Sequence, residues 1–243
     1  MCGRYVLTTP GEVLAQIFDT APPPEEILEA LVPRYNLSPT QTVPIVRRAP
    51  ALAASAASAP TRELALVQWG LVPHWAKDPA IGNSLINARA ETAAEKPSFR
   101  DAMKRRRCLI PADGFYEWKK LGKGKQPYLI RLLGGSTFAF AGLWSQWKNP
   151  ESGASLETCA ILTTSPNELT ATVHDRMPVI LPATSWQRWL DDVSPNTPFT
   201  ELLVSFPAGQ MEAFPISKRV NSPANEGPEN IAPITLEEMA AET

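Results

Sequence analysis

The sequence predicts an α+β fold: one β-rich domain with a barrel-like pair of antiparallel sheets flanked by short helices. Three observations carry that expectation. Apolar strand-like runs outnumber helical patterns along the chain. Twenty-five prolines among 243 residues favour short elements, sheet edges and loops over a helical bundle. The apolar runs also recur on both sides of a low-complexity segment, which argues for a single domain over residues 1–243. With 44% hydrophobic and 20% charged residues, the composition is that of a globular chain able to bury a sizeable core.

The elements follow in order. TTPGEVLAQIFDT sets Thr and Pro before a helical pattern, so a helix is expected near the start. APPPEE is a proline-rich break, and PRYNLSPTQTVPIVRR reads as a loop and then a short strand. Over about 49–61, APALAASAASAP reads as a flexible Ala/Ser/Pro loop. Strand-like runs follow in ELALVQWGLVP, RRCLIPADGFYEW, QPYLIRLL, TFAFAGLW and ETCAILTT, divided by Gly, Pro and Lys turns. SPNELTATVH looks helical, and PATSWQRWL carries a Thr/Ser cap before an aromatic helix face. The acidic tail over about 235–243, ITLEEMAAET, is expected to fray.

Charge and cysteine usage narrow the function classes. A net charge of −2 gives the whole molecule no nucleic-acid signature. MKRRRC and VRR can still build a local basic surface, because phosphates respond to charge within a Debye length of ~10 Å at 0.1 M salt. Cys2, Cys108 and Cys159 are too few and too scattered for a disulfide framework or a zinc site. Cys108 and Cys159 sit in apolar runs and read as small core residues. No signal-like region and no membrane-spanning run is apparent, so a reducing compartment is expected. No carboxylate–histidine cluster demands a metal, and no cofactor is expected.

Polar clusters mark candidate chemistry, each beside a plainer reading. LINARAET sets Asn87, Arg89 and Glu91 at alternate positions, facing one way if extended; a solvated strand face would look the same. In ADGFYEW, Glu117 lies between Tyr116 and Trp118, where desolvation raises a carboxyl pKa and suits it to proton transfer. An exposed Glu on an amphipathic strand is the alternative. His174, Asp175 and Arg176 form a polar triplet before an apolar run, although a histidine at a helix C-terminus is also stabilised there. WGLVPHWAKD reads as a rigid aromatic loop in which His74 is structural. Its Trp69 and Trp75 are either core residues or platforms for a base. At the start, MCGRY places Cys2 directly after the initiator methionine. Removal of Met1 would leave an α-amine beside a thiol; otherwise Cys2 is a small residue at a chain end.

MCGRY, RYNLSPTQ, WGLVPHWAKD, INARAET, RRCLIPADGFYEW, FAGLW, TTSPN and HDRMPVIL occur here in the order seen in the SOS-response-associated peptidase family, the abasic-site processing proteins, which the chain therefore resembles. The resemblance runs from residue 2 to about residue 230 and leaves out the Ala/Ser/Pro loop and the acidic tail. It implies that the mature chain begins with Cys2, which captures the ring-opened aldehyde of an abasic site in single-stranded DNA as a thiazolidine. Nearby cations would lower the Cys2 thiol pKa for that step.

By motif match, Asn87 would orient the Cys2 amine or the opened sugar. Glu117 would transfer protons, and His174 would act as acid and base on the sugar hydroxyl and the imine. Arg4, Arg89 and Arg176 would clamp phosphates, while Trp75 and Pro39 would stack on bases beside the lesion. The resemblance further implies a monomeric, cytoplasmic protein of bacterial type, drawn to the nucleoid at damage. Two other readings stand beside it. One is amide hydrolysis by an N-terminal nucleophile, with Cys2 attacking, its own amine or His174 as base and Asn87 as oxyanion donor, a chemistry that includes autoproteolytic Met1 removal. The other is a noncovalent single-strand binding module.

Overall fold

The computed structural model describes residues 2–49, 62–191, 199 and 201–241. Apart from Ala49, the predicted Ala/Ser/Pro loop lies outside the described residues. The chain opens with β1 (Tyr5–Leu7), α1 (Gly11–Ile17), α2 (Glu25–Ala30), β2 (Arg34–Leu37), β3 (Thr42–Arg48) and β4 (Arg62–Trp69). Then come β5 (Asn87–Arg89), α3 (Arg100–Arg105), β6 (Arg107–Ala112), β7 (Gly114–Leu121), β8 (Gly124–Leu132), β9 (Phe138–Lys148) and β10 (Ser155–Thr164). It closes with α4 (Glu168–Ala171), β11 (Met177–Pro178), β12 (Ile180–Leu181), α5 (Trp186–Leu190), β13 (Met211–Pro215) and α6 (Leu236–Ala241).

Two sheets carry the fold, which is the β-rich α+β architecture the sequence predicts. One is a five-stranded antiparallel sheet in the order β13-β8-β7-β1-β2. In the other, β10-β4-β3-β6-β9 returns to β10 through the β9–β10 pairing, so these strands close into a barrel. The pairing is not wholly antiparallel: β4 and β5 both run parallel to β10. A continuous core of Ile45, Val67, Leu109, Phe140, Ile161 and their neighbours fills the space between the sheets. Among the described residues no helix is long and apolar enough to cross a membrane.

Several elements depart from expectation, each for a local reason. RYNLSPTQTVPIVRR forms two strands, not one, because the turn after Leu37 hands the chain from the five-stranded sheet to the barrel. RRCLIPADGFYEW likewise splits into β6 and β7, in different sheets. The break falls at Asp113, whose carboxylate accepts hydrogen bonds from the Thr8 and Thr9 backbone and from the Thr9 and Thr137 hydroxyls. The proline-rich break is followed at once by α2, with Pro24 at its N-cap, a place where a missing N–H costs nothing. The acidic tail forms α6 because Thr235 and Glu238 exchange hydrogen bonds across its first turn.

The segment after β4 holds the aromatic loop in place. Gly70 (φ +129°) donates its N–H to the Cys159 carbonyl at 2.8 Å and crosses against Gly82. Trp69 is fully buried and donates to the Ile86 carbonyl at 2.9 Å, so it is core. Val72, Ala76 and Trp147 pack together, with the Trp147 indole donating to the Ala76 carbonyl. These ties leave Trp75 facing solvent, 50% exposed. Gly70→Ala would impose a left-handed φ on an L-residue and set its Cβ 2.7 Å from the Gly82 oxygen. It is expected to lower stability by at least about 2 kcal/mol, read as a lower denaturant midpoint with an unchanged slope.

Candidate functional site

The site begins with Tyr5. Its ring is fully buried, edge-on to Trp69 at 5.4 Å and to Phe140 at 5.9 Å. Tyr5 belongs to the five-stranded sheet, whereas Trp69 and Phe140 belong to the barrel. An aromatic from β1 thus plugs into the barrel and fixes where the preceding residues lie. Cys2 is 0% exposed and joins the same core.

Asn87 holds Cys2 from the other side. Short β5 lies parallel to β10 with Asn87 opposite Ile161 and Arg89 opposite Thr163. Ala88 faces the core and its two neighbours face away from it. The Asn87 side-chain amide donates to the Cys2 carbonyl at 2.7 Å. Its own oxygen is buried with no hydrogen-bond partner among the described residues, an acceptor aimed into the site. The extended run ends at Arg89, and Glu91 lies in the following turn instead of on the strand face expected for it.

Glu117, on β7, is 3% exposed. Burial raises its pKa, against the opposing pull of His174. The sequence attributes that desolvation to Tyr116 and Trp118, but strand alternation turns both to the opposite face, where they pack with Val6, Leu129, Ile216 and Val220. Glu117 is desolvated by the barrel side instead. Its Oε2 lies 3.9 Å from His174 Nε2. His174 follows α4, whose capping box of Asn167 and Thr170 fixes the turn that delivers it, and its backbone N–H donates to the Thr170 carbonyl. The Arg176 backbone N–H donates to His174 Nδ1 at 3.0 Å, which assigns the proton of the neutral ring to Nε2, toward Glu117. When protonated, Nδ1 has Asp175 Oδ1 at 2.9 Å as an alternative partner.

The thiol is the point where expectation fails. Instead of being lowered by nearby cations, the Cys2 pKa is raised, first by complete burial and then by the charge of Glu117. The nearest candidate cation, Arg4, points elsewhere. Arg4 Nη1 donates to Asn36 Oδ1 at 2.7 Å and to the Val220 carbonyl at 2.8 Å, and burial lowers the guanidinium pKa. Asn36, fully buried, in turn donates to the carbonyls of Ser222 and Asn225. A lone Asn within a short strand carries no charge or spacing signal, so only its place in RYNLSPTQ marks it.

The remaining candidates spread around this centre. Arg176 makes a bidentate pair with Glu91 at 2.7 and 2.9 Å and also donates to the Thr163 carbonyl. Arg89 is exposed, and Pro39 lies partly exposed in the turn between β2 and β3, where Thr40 donates to the Trp69 carbonyl. Among the described residues no group of three His, Cys, Asp or Glu side chains could hold a metal ion. The structure therefore brings Cys2, Asn87, Glu117 and His174 into one connected group, sets Arg89 and Trp75 outside it with open faces, and commits Arg4 and Arg176 to internal partners.

A closed barrel with a cysteine at position 2, tied to an amide and set beside a buried carboxyl and a histidine, defines a barrel protein with a thiol-centred site. The chain belongs to the SOS response associated peptidase (SRAP) family, whose profile matches residues 1–223. It is 43% identical over 235 residues to the abasic site processing protein YoqW of Bacillus subtilis, spanning 95% of this chain and 99% of that one. Over 244 residues it is 31% identical to the abasic site processing protein YedK of Escherichia coli, covering 96% and 100% of the two chains. The crystal structure of a protein from Bacteroides thetaiotaomicron superposes with a TM-score of 0.83 at 26% identity, covering 96% of this chain and 100% of that one.

The Asn87–Cys2 bond gives a direct test. Asn87→Ala removes one donor and is expected to cost about 1 kcal/mol; Asn87→Asp sets two acceptors face to face and is expected to cost more, about 1–3 kcal/mol. Equal losses in denaturant unfolding would mean that the bond contributes nothing.

Proposed function

We propose that this chain captures abasic sites in single-stranded DNA by forming a thiazolidine through Cys2 once Met1 has been removed. The observation that carries the reading is a buried carboxyl, Glu117, whose pKa burial raises, set beside Cys2 and within reach of His174. Abasic site processing proteins named among the relatives support the substrate class. The proposal includes action as a monomer in the cytoplasm, without a cofactor.

The chemistry follows from those groups. An α-amine with a pKa near ~8 is partly neutral at physiological pH and attacks the C1′ aldehyde of the opened sugar. Glu117, as the acid, protonates the departing oxygen; water leaves and a protonated imine forms, its nitrogen keeping one proton. Now a carboxylate, Glu117 takes the proton of the Cys2 thiol as sulfur bonds to the imine carbon, and the electron pair of the carbon–nitrogen double bond returns to nitrogen, leaving a neutral ring amine. Carbon–nitrogen and carbon–sulfur bonds then close a five-membered ring, and the imine that would drive strand cleavage is gone. His174 relays protons to and from Glu117 and acts on the sugar hydroxyl in both directions. Asn87, with its open acceptor, orients the amine.

A thiol whose pKa is raised by burial suits this order, because sulfur reacts only after Glu117 has become a base. On the DNA side, exposed Arg89 and Trp75 offer a phosphate contact and a stacking surface, and Arg176 reaches a phosphate only by exchanging it for Glu91.

Incubation with an abasic single-stranded oligonucleotide should give a shifted band on a denaturing gel, lost with Cys2→Ser. Peptide hydrolysis without such a band would overturn the reading in favour of the protease, and salt-sensitive binding without it would favour a noncovalent module. Glu117→Gln is expected to slow adduct formation about 100-fold while DNA affinity stays near the parent value. Parallel loss of rate and affinity would make Glu117 structural. Arg89→Ala should weaken binding and flatten its logarithmic salt dependence by about 0.7, one phosphate's share on a single strand.

A further inference from the structure

A second charged feature lies outside the thiol-centred group. Beside the Trp75 loop, His74, Asp101, Lys104, Arg105 and Arg106 line a cleft of about 350 Å³. Its wall is formed by the end of α3 and the residue just beyond it, with His74 facing them from the loop. The single carboxylate is already met, by His74 at 3.8 Å and Arg100 at 4.0 Å. Lys104, Arg105 and Arg106 form no ion pair among the described residues, and Lys104 and Arg105 are exposed. Three cations lining one cleft make a local basic surface in a chain whose net charge is −2, with Arg106 also over the Trp144 ring at 5.9 Å. Such an arrangement repels itself, and an anion seated between the cations relieves the repulsion.

The neighbouring residue identifies the anion. Trp75, the next residue after His74, is the half-exposed aromatic on the same loop. An aromatic platform flanked by cations is the pattern of a groove that tracks a single-stranded backbone. The chain also links the cleft to the reaction centre, since the turn after β5 leads from Arg89 straight into α3. We propose that this cleft binds a backbone phosphate of the single strand flanking the lesion, past the nucleotide stacked on Trp75, and so extends the footprint beyond the reaction centre. The proposal rests on the abasic-site reading above. It gives the segment MKRRRC a division of labour: Met103 and Arg107 are buried, Arg107 donating to the Trp189, Met103 and Lys104 carbonyls, while exposed Lys104 and Arg105 face the strand.

The test compares abasic oligonucleotides of about 5 and about 15 nucleotides, the short one spanning the lesion and its immediate neighbours only. Affinities are measured against salt for the full chain and for the Lys104→Gln/Arg105→Gln variant. Lys123→Gln/Lys125→Gln, at the exposed end of the β7–β8 hairpin, removes the same charge elsewhere. The α3 variant should bind the long strand on the order of tenfold more weakly and lose about 1.4 from its salt slope, so that the advantage of long over short strands collapses. The hairpin variant should keep that advantage. If the α3 variant keeps it too, or both variants lose it equally, the cleft assignment is overturned while the abasic-site reading stands. A parent chain that binds neither oligonucleotide overturns both.

Discussion

The insertion of Tyr5 between the two sheets is the contact on which the rest of the site depends. A strand end is normally a loose place to keep a reactive group, because terminal residues lose their order easily. Here the aromatic ring is wedged against Trp69 and Phe140, and three residues upstream the Cys2 carbonyl is clasped by Asn87. The first gives apolar burial and the second gives direction. Between them a flexible end becomes part of the core, so that a buried carboxyl on one sheet faces groups delivered by the other.

That burial also sets the electrostatics. Cys2 and Glu117 each resist ionising in an apolar surrounding, and a negative charge on one makes the other harder to ionise. Burial and mutual repulsion thus both favour the proton-bearing forms of the two groups. In the proposed capture reaction, the proton given to the departing oxygen comes from this pair.

Much of this is legible in the sequence, and the parts that are not share a cause. β3, β4 and the strands from β6 to β10, with α1, α4 and α5, announce themselves through local pattern, because apolar runs and caps are local signals; the short β1, β11, β12 and β13 do not. The helix after APPPEE and the division of RYNLSPTQTVPIVRR are obscured by prolines and turns whose meaning depends on which sheet receives the next strand. Within the site, the alternation of Asn87 and Arg89 and the polar triplet at His174 mark residues that the fold does bring to one region. Inferences from sequence neighbours fare worse: Tyr116 and Trp118 do not desolvate Glu117, and the Cys2 thiol pKa is raised by burial where nearby cations are expected to lower it. Adjacency along a strand is separation across it. Asn36 is marked only by the motif RYNLSPTQ and by no chemical pattern of its own, since its partners are distant along the chain.

Those distant partners have a consequence for how the protein comes into being. Arg4 and Val220 are 216 positions apart, and Asn36 reaches Ser222 across 186. During synthesis the first strands emerge from the ribosome long before the carbonyls that will secure them exist. The amino-terminal segment therefore stays incompletely fastened until nearly the whole message has been read, although Trp69, Asn87 and Phe140 are made earlier. Its last ties form only as synthesis ends, so the thiol begins its existence in a different chemical world from the one it later occupies.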